Sequence, residues 1–158
     1  MKPEDRQRRW DLRYMDLAHR VAGWSKDPST KVGCVLVRPN NSVASMGFNG
    51  FAPGEDDDPK LYEDRAYKNA HVIHAEENAL TFLEGPAAGF SAYTSFPPCP
   101  ICMTALGEAG VVRVMSTPIN THERNLEWVD EWKETLLASM EVAQNYNIEW
   151  IVVTRGET

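Results

Sequence analysis

The sequence has few cysteines, no long apolar run and no excess of positive charge. Its 158 residues include three cysteines, 16 Lys and Arg and 23 Asp and Glu, giving a formal net charge of −7. This acidic balance excludes a general DNA- or RNA-binding surface, which needs clustered cations. No apolar run approaches the roughly 18 residues of a membrane span, and the start MKPEDRQRRW lacks the apolar segment of a secretion signal. We therefore expect no membrane partner and, from the low, odd cysteine count, a reduced cytoplasmic protein.

Hydrophobic periodicity predicts one α/β domain over residues 1–158. The predicted elements are helices at 4–23, 74–84, 97–110 and 122–144, and strands at 31–37, 43–48, 90–96, 111–116 and 148–154. Residues 49–69 are predicted to be one long loop that carries the acidic run 55–58. An opening hairpin followed by alternating strands and helices indicates an α/β sandwich with a largely parallel second half.

Two short motifs together predict a metal site. HAEEN (74–78) and PCPIC (98–102) each begin a predicted helix. The N-terminus of a helix lowers the pKa of a thiol, which favours the metal-binding thiolate of Cys99 and Cys102. With His74 they supply three ligands, so the fourth position of a tetrahedral zinc belongs to water. That arrangement is typical of a catalytic zinc site rather than a structural one.

The carboxylate of Glu76 is close enough in sequence to exchange protons with that water. It lies two residues after His74, where it can move protons without ligating the metal. The order H-x-E followed by P-C-x-x-C is the signature of zinc-dependent nucleobase deaminases.

Each motif taken alone has a less specific explanation. An H-x-E triplet occurs at many surface helix starts, and C-x-x-C occurs in redox proteins and structural zinc sites. A disulfide between Cys99 and Cys102 is a further alternative. A redox motif would follow the first strand, whereas PCPIC follows the third predicted strand, and a zinc finger would need a second ligand pair. The two motifs together favour the catalytic zinc site.

The sequence resembles the cytidine and deoxycytidylate deaminase superfamily and, more narrowly, its dCMP deaminase branch. The blocks that carry the resemblance are SKDPSTKVGCVLV (25–37), GFNG (47–50), HAEENAL (74–80) and FPPCPICM (96–103). The resemblance runs from about Trp24 to Ser116 and is loose over residues 117–158. It implies a three-layer α/β/α cytidine-deaminase-like sandwich around a central five-stranded mixed sheet, in a single zinc-dependent CMP/dCMP-type deaminase domain.

The resemblance implies hydrolysis of dCMP to dUMP and ammonia, which feeds thymidylate synthesis. By this resemblance His74, Cys99 and Cys102 bind one zinc ion per chain. Water activated by that zinc attacks C4 of cytosine, and Glu76 transfers the protons.

Five residues are implied as substrate contacts. Asn49 would meet the deoxyribose, the backbone of Ala75 the pyrimidine, and Ser25 and Lys26 the 5′-phosphate. Asn78 is assigned to the same pocket, where it would fix the loop above it. The alternatives are a solvated loop lysine for Lys26 and a helix-surface amide for Asn78.

Three further residues are left with open or structural roles. Tyr67 and His71 either line the pocket or pack under the long loop. Cys34, inside a predicted buried strand, is expected to be a small core residue.

The family also binds dCTP as activator and dTTP as inhibitor with Mg²⁺, which would place effector contacts at Gly47, Asn49 and Gly50. The acidic run 55–58 argues against a bound triphosphate unless Mg²⁺ mediates the contact. The resemblance further implies a homo-oligomer, commonly a hexamer in the family.

Other functions stay open from the sequence. The substrate is alternatively dCTP or a 5-substituted dCMP. A tRNA adenosine deaminase shares the zinc motifs, but the net charge of −7 and the block around Asn78 count against it. A nucleotide-binding sensor or a structural zinc module is disfavoured by Glu76, because a structural site does not require that carboxylate.

Overall fold

Five strands form one mixed sheet at the centre of the molecule. The computed structural model describes residues 1–119 and 126–154. The strands are β1 (Gly33–Val37), β2 (Val43–Phe48), β3 (Ser91–Thr94), β4 (Arg113–Ser116) and β5 (Glu149–Val152), in the spatial order β2-β1-β3-β4-β5. β1 pairs antiparallel with β2 and β3, whereas β3, β4 and β5 run parallel to one another. The predicted hairpin, parallel second half and five-stranded mixed sheet are confirmed.

Helices cover both faces of this sheet. They are α1 (Pro3–Ala22), α2 (Pro59–Glu63), α3 (Arg65–His71), α4 (Ala75–Thr81), α5 (Pro100–Ala109) and α6 (Leu126–Asn145). Successive residues of β1 point to opposite faces, so Val35 and Val37 pack with the buried residues of α1. Cys34 and Leu36 pack on the other side with residues of α4, α5 and α6. The three-layer α/β/α arrangement and the core position of Cys34 are therefore confirmed.

The prediction of one loop over residues 49–69 was wrong, because α2 and α3 lie in its second half. Asp58 and Asp64 are the N-caps of these helices, and their side chains accept backbone N–H groups of the first turn. An aspartate cap followed by Pro59 at the first helical position is a helix-start signal. The prediction of one long loop did not take this signal into account.

Other element ends differ from the predictions by a few residues, as is usual where helices fray. α4 ends at Thr81, short of the predicted 84, and Phe82 after it is largely exposed. The first residues of the predicted helix 122–144 lie outside the described part of the chain. None of the helices in the described residues is both long and apolar enough to span a bilayer.

Glycine allows α4 to lie directly on the sheet. A Cβ atom added to Gly47 on β2 would lie 2.4 Å from the carbonyl oxygen of Ala75 and 2.4 Å from the backbone nitrogen of Ala79. Any larger residue would push α4 away from the sheet. Because α4 begins directly after His74, this contact sets the position of the predicted metal ligand.

Candidate active site

The three predicted metal ligands meet where α4 and α5 begin. His74 caps α4 and Cys99 caps α5, so both side chains stand at helix N-termini. Nδ1 of His74 lies 3.3 Å from Sγ of Cys102 and 3.6 Å from Sγ of Cys99. Sγ of Cys99 also accepts the backbone N–H of Cys102 at 3.4 Å. All three cysteines of the chain are free, so the alternative of a disulfide between Cys99 and Cys102 is not realised.

The geometry of this cluster fits zinc. A tetrahedral ion with bonds of about 2.0 Å to nitrogen and about 2.3 Å to sulfur holds these two atoms about 3.5 Å apart. The observed nitrogen-to-sulfur distances of 3.3 and 3.6 Å agree with that value. Within residues 1–119 and 126–154 this is the one group of three or more metal-ligating side chains.

The ligands share their protons unequally. Hydrogen bonds from Cys102 and His74 lower the pKa of Cys99 to about 4, although burial opposes the shift. The hydrogen bond to Cys99 raises the pKa of His74 to about 9, and the same thiolate raises that of Cys102. A bound metal would replace these protons, because its ligands are a thiolate and a neutral imidazole.

Two neighbouring carboxylates on α4 have different surroundings. Glu76 is almost completely buried, and this burial raises its pKa to about 7. Glu77 turns back and accepts the backbone N–H of His74 over 3.5 Å, a long bond of the kind that caps helices. The side chain of Glu77 therefore supports the residue that holds the metal.

The cluster opens into a cavity of about 170 Å³. Its metal side is formed by His74, Ala75, Glu76 and Cys99. The remaining described lining residues are Asp27, Thr30, Val32, Asn49, Lys68, Asn69, Val72, Phe96, Pro97 and Trp132. Metal ligands, two buried carboxylates, two amides, a cation and two aromatic rings thus face one space of limited size.

Asn49 is the most constrained of the predicted substrate contacts. Its Oδ1 accepts the backbone N–H of Val32 at 2.9 Å, and its Nδ2 donates to the carbonyl oxygen of Thr30 at 2.8 Å. Ser25 donates its hydroxyl to the carbonyl oxygen of Asn49 at 2.8 Å. These bonds tie the loop before β1 to the turn after β2. The side chain of Asn49 therefore lines the cavity in one orientation, with one lone pair of Oδ1 left for a ligand.

Three other predicted contacts do not line the cavity. Ser25 is buried, with its hydroxyl on the backbone of Asn49. Lys26 is turned outward, its side chain 65% exposed and 2.6 Å from Asp57. Asn78 donates its amide to the carbonyl oxygen of Phe48 at 2.8 Å, which supports the loop above it. Their contact with a substrate stays a prediction without support from the cavity.

The residues predicted to bind an effector have clear structural contacts. Gly47 lies under α4, and Gly50 exchanges backbone hydrogen bonds of 3.1 and 2.8 Å with Ile73, directly before His74. Effector binding at Gly47, Asn49 and Gly50 stays a prediction. The predicted Mg²⁺ is not supported, since in the described part of the chain the His–Cys–Cys cluster alone gathers three metal-ligating groups.

Tyr67 and His71 pack on neighbouring rings. Their rings stack with centroids 3.9 Å apart, and Tyr67 meets Phe51 edge-on at 5.6 Å. Neither residue is among the described lining residues of the cavity. Of the two interpretations from the sequence, the structure therefore supports packing under the loop.

The residues of the cavity wall that sequence reasoning missed include Asp27, Lys68 and Trp132. Asp27 lies inside the SKDPST block, but its neighbour Lys26 was assigned to the phosphate because Lys26 is a cation. Lys68 is carried by the unpredicted helix α3, so its direction could not be inferred. Trp132 lies in the helix of the loosely similar C-terminal region, where regular spacing of tryptophans indicates only an apolar face.

Comparison with known proteins assigns the family. Residues 8–117 match the family described as the cytidine and deoxycytidylate deaminase zinc-binding region, so the chain belongs to this family. The reaction class is therefore zinc-dependent deamination, with His74, Cys99 and Cys102 as the zinc site.

Individual relatives agree with this class. The chain is 30% identical over 141 residues to an uncharacterized deaminase in the luxG 3′ region of Aliivibrio fischeri, covering 89% of this chain and 91% of that one. It is 30% identical over 128 residues to deoxycytidylate deaminase of Mus musculus, covering 77% and 72%. The dCMP deaminase of cyanophage S-TIM5, solved in complex with dCMP and dUMP, is 25% identical with a TM-score of 0.67, covering 97% and 99%.

Proposed function

We propose that this protein hydrolyses dCMP to dUMP and ammonia. The observation that carries the proposal is the common cavity wall of His74, Cys99 and Glu76, which joins the zinc site to a buried carboxylate. The similarity to deoxycytidylate deaminases supports dCMP as the substrate.

The chain's own residues divide the chemical work. His74, Cys99 and Cys102 hold the zinc, which when bound supplies a Lewis acid that makes a water molecule nucleophilic near neutral pH. Glu76 takes a proton from the attacking water and delivers it to N3 of cytosine. It then delivers the second proton to the amine at C4, so that water and dCMP become ammonia and dUMP.

Other cavity residues orient the substrate. Asn49 accepts a hydrogen bond from the deoxyribose, since its Oδ1 retains a lone pair at the cavity wall. Phe96 and Trp132 form an aromatic wall that excludes water beside the ring of the base. Ala75, the first residue of α4, places its backbone against the pyrimidine.

The test is ammonia release by purified protein whose zinc content has been measured. The protein is offered dCMP, dCTP, 5-methyl-dCMP and deoxycytidine in parallel, with dCTP and dTTP also added as effectors of dCMP turnover. Preferred turnover of dCMP with about one zinc per chain is the expected result. Bound zinc with no turnover of any of the four compounds contradicts the proposal and favours a binding or structural role.

A matched pair of variants separates chemistry from folding. Glu76→Gln keeps the shape of the side chain but cannot carry the proton, so we expect normal zinc content and a loss of activity of about 10²–10⁴-fold. Glu77→Gln makes the same charge change one residue away, and its amide oxygen can still accept the N–H of His74. That variant keeps its activity if Glu76 alone transfers the protons.

A further inference from the structure

Lys68 is the only lysine or arginine among the described residues that line the cavity. Lys68 belongs to α3, which lies between the acidic run 55–58 and His74 in the sequence. Lys26, the cation that the sequence suggested, is exposed and paired with Asp57 outside the cavity. Among the described lining residues, the lysine or arginine charge available to a ligand is therefore that of Lys68.

Lys68 is held in place by a buried carboxylate. Its Nζ atom lies 2.7 Å from Oδ2 of Asp27 and 3.2 Å from the hydroxyl oxygen of Ser29. Its side chain is 18% exposed, and that of Asp27 is 0% exposed. An ammonium group has three N–H donors, and these two contacts use two of them. One donor is left for a group in the cavity.

The carboxylate of Asp27 is in turn held by several hydrogen-bond donors. Its Oδ1 accepts the backbone N–H groups of Ser29 and Thr30 at 2.9 and 3.1 Å, and its Oδ2 lies 3.5 Å from Nδ2 of Asn49. Burial alone would raise the pKa of Asp27, but the hydrogen bonds from Lys68 and these N–H groups lower it. The charged carboxylate thus holds Lys68 and lies beside Asn49, two of the polar side chains that line the cavity.

We infer that Lys68 contacts the 5′-phosphate of the substrate and that Asp27 is its positioning residue. This inference rests on the proposed function and concerns the choice between nucleotide and nucleoside. A nucleoside offers no anion to the free N–H donor of Lys68, whereas a nucleotide offers a phosphate. Hydrogen bonds between an ammonium and a phosphate are short and about twice as strong as neutral ones. Lys68 therefore selects nucleotides, and Lys26 does not.

The test compares two ligands that differ only in the phosphate. Turnover is measured with dCMP and deoxycytidine, and binding is measured with dUMP and deoxyuridine by calorimetry. For Lys68→Gln we expect kcat/KM for dCMP to fall about 10- to 100-fold, in line with the loss of a hydrogen bond to a charged group. The value for deoxycytidine should change by less than about threefold if only the phosphate contact is lost.

Three companion variants exclude a merely structural effect. Lys68→Arg keeps the charge and should retain most of the preference for dCMP. Lys68→Gln leaves Asp27 buried without its partner, so Asp27→Asn combined with Lys68→Gln removes that strain and should still lose the preference. Lys60→Gln makes the same charge change on the exposed surface of α2, away from the cavity, and should keep the preference.

Two outcomes of the variant experiments overturn the inference. One is an equal loss of dCMP and deoxycytidine turnover in the zinc-loaded Lys68→Gln protein, which would show a structural role. The other is a selective loss of dCMP turnover in Lys26→Gln with Lys68→Gln unaffected. Absence of turnover in a wild-type protein that binds dUMP through Lys68 would reject only the proposed function. Wild-type protein that binds dUMP no better than deoxyuridine would reject the inference, even where dCMP is turned over.

Discussion

Nδ1 of His74 lies 3.3 Å from Sγ of Cys102, although the two residues are 28 positions apart in the chain. Because His74 stands at the beginning of α4 and Cys102 at the beginning of α5, the metal would join these two helices. We predict that Cys102→Ser lowers the zinc content from about one per chain to well below one, since a hydroxyl is a poorer zinc ligand than a thiolate. Zinc is measured by atomic emission on protein purified without added metal.

The remaining cysteine provides the control for this variant. Cys34 is buried in the core beneath α4 and takes no part in the cluster, so Cys34→Ala should keep its zinc while losing some stability. Full zinc occupancy in Cys102→Ser, or loss of zinc in Cys34→Ala alone, would contradict the assigned ligands. Addition of a chelator should lower the melting temperature of the wild-type protein, because metal affinity adds to the stability of the folded state.

The two glycines of the GFNG turn should respond differently to alanine. A Cβ atom on Gly47 would lie 2.4 Å from backbone atoms of α4, which cannot move without moving His74. A Cβ atom on Gly50 would meet only the hydroxyl of Tyr62, at an ordinary 3.6 Å. We predict that Gly47→Ala costs about 1–3 kcal/mol of stability and lowers kcat, as overpacking does. Gly50→Ala should be close to wild type; equal behaviour in thermal unfolding and turnover would refute this explanation.

Two asparagines that the sequence assigned to the substrate should also differ. Asn49→Ala removes two hydrogen bonds, one from the partly buried N–H of Val32 and one to the carbonyl oxygen of Thr30, each worth about 1 kcal/mol. It should raise KM for dCMP strongly as the cavity wall loosens. Asn78→Ala removes one exposed hydrogen bond to Phe48, worth about 1 kcal/mol. A KM effect of Asn78→Ala as large as that of Asn49→Ala would restore Asn78 as a substrate contact.

The zinc cluster could be predicted from sequence because its geometry is local. Each ligand stands at or just after a helix cap, and the parallel and antiparallel strands that bring the two caps together follow from alternating hydrophobic segments. Asn49 was assigned to the substrate only by the family resemblance of GFNG, and the structure brings it near the zinc ligands because its neighbour Gly50 forms a bridge with Ile73, directly before His74.

The opposite wall of the cavity could not be predicted, because it depends on the directions of side chains across long distances in the chain. Lys26 and Asp27 are neighbours, yet one pairs with Asp57 at the surface and the other is buried beside Lys68. A loop has no regular period, so the sequence does not predict which of two neighbouring side chains points into the protein. Trp132 reaches the cavity through the packing of α6 on α5, where Gly107 of α5 lies against the ring of Tyr146, directly after α6.

Trp132 should report ligand binding. Its ring meets that of Phe96 edge-on, with centroids 5.0 Å apart, and both line the cavity. We predict that dUMP changes the tryptophan fluorescence of the wild-type protein and that Trp132→Phe loses most of this change. Trp132→Ala should raise KM for dCMP about 10-fold, because contact of a base with an aromatic ring is worth about 1–3 kcal/mol.

The fluorescence experiment has a control on the far side of the sheet. Trp10 stacks on Tyr14 of α1 and does not line the cavity, so Trp10→Phe should keep the response to dUMP. A response that survives in Trp132→Phe and disappears in Trp10→Phe would place the nucleotide elsewhere.

The ion pair of Asp11 and Arg113 should make stability depend on pH independently of the zinc site. Burial would raise the pKa of Asp11, but hydrogen bonds from Arg113, Tyr93 and Gln7 outweigh it and lower the pKa below its usual value of 3.8. The stabilisation is therefore present above about pH 4, where the unfolded state also has this carboxyl ionised, and is lost as pH falls through the lower folded-state pKa. Asp11→Asn should cost about 3 kcal/mol at pH 7, and this difference from wild type should shrink in urea unfolding below about pH 4. Asp16→Asn, on the exposed side of the same helix, makes the same charge change and should cost less than about 0.5 kcal/mol. If the loss of stability in Asp11→Asn did not depend on pH, packing and not the charge of Asp11 would stabilise this face.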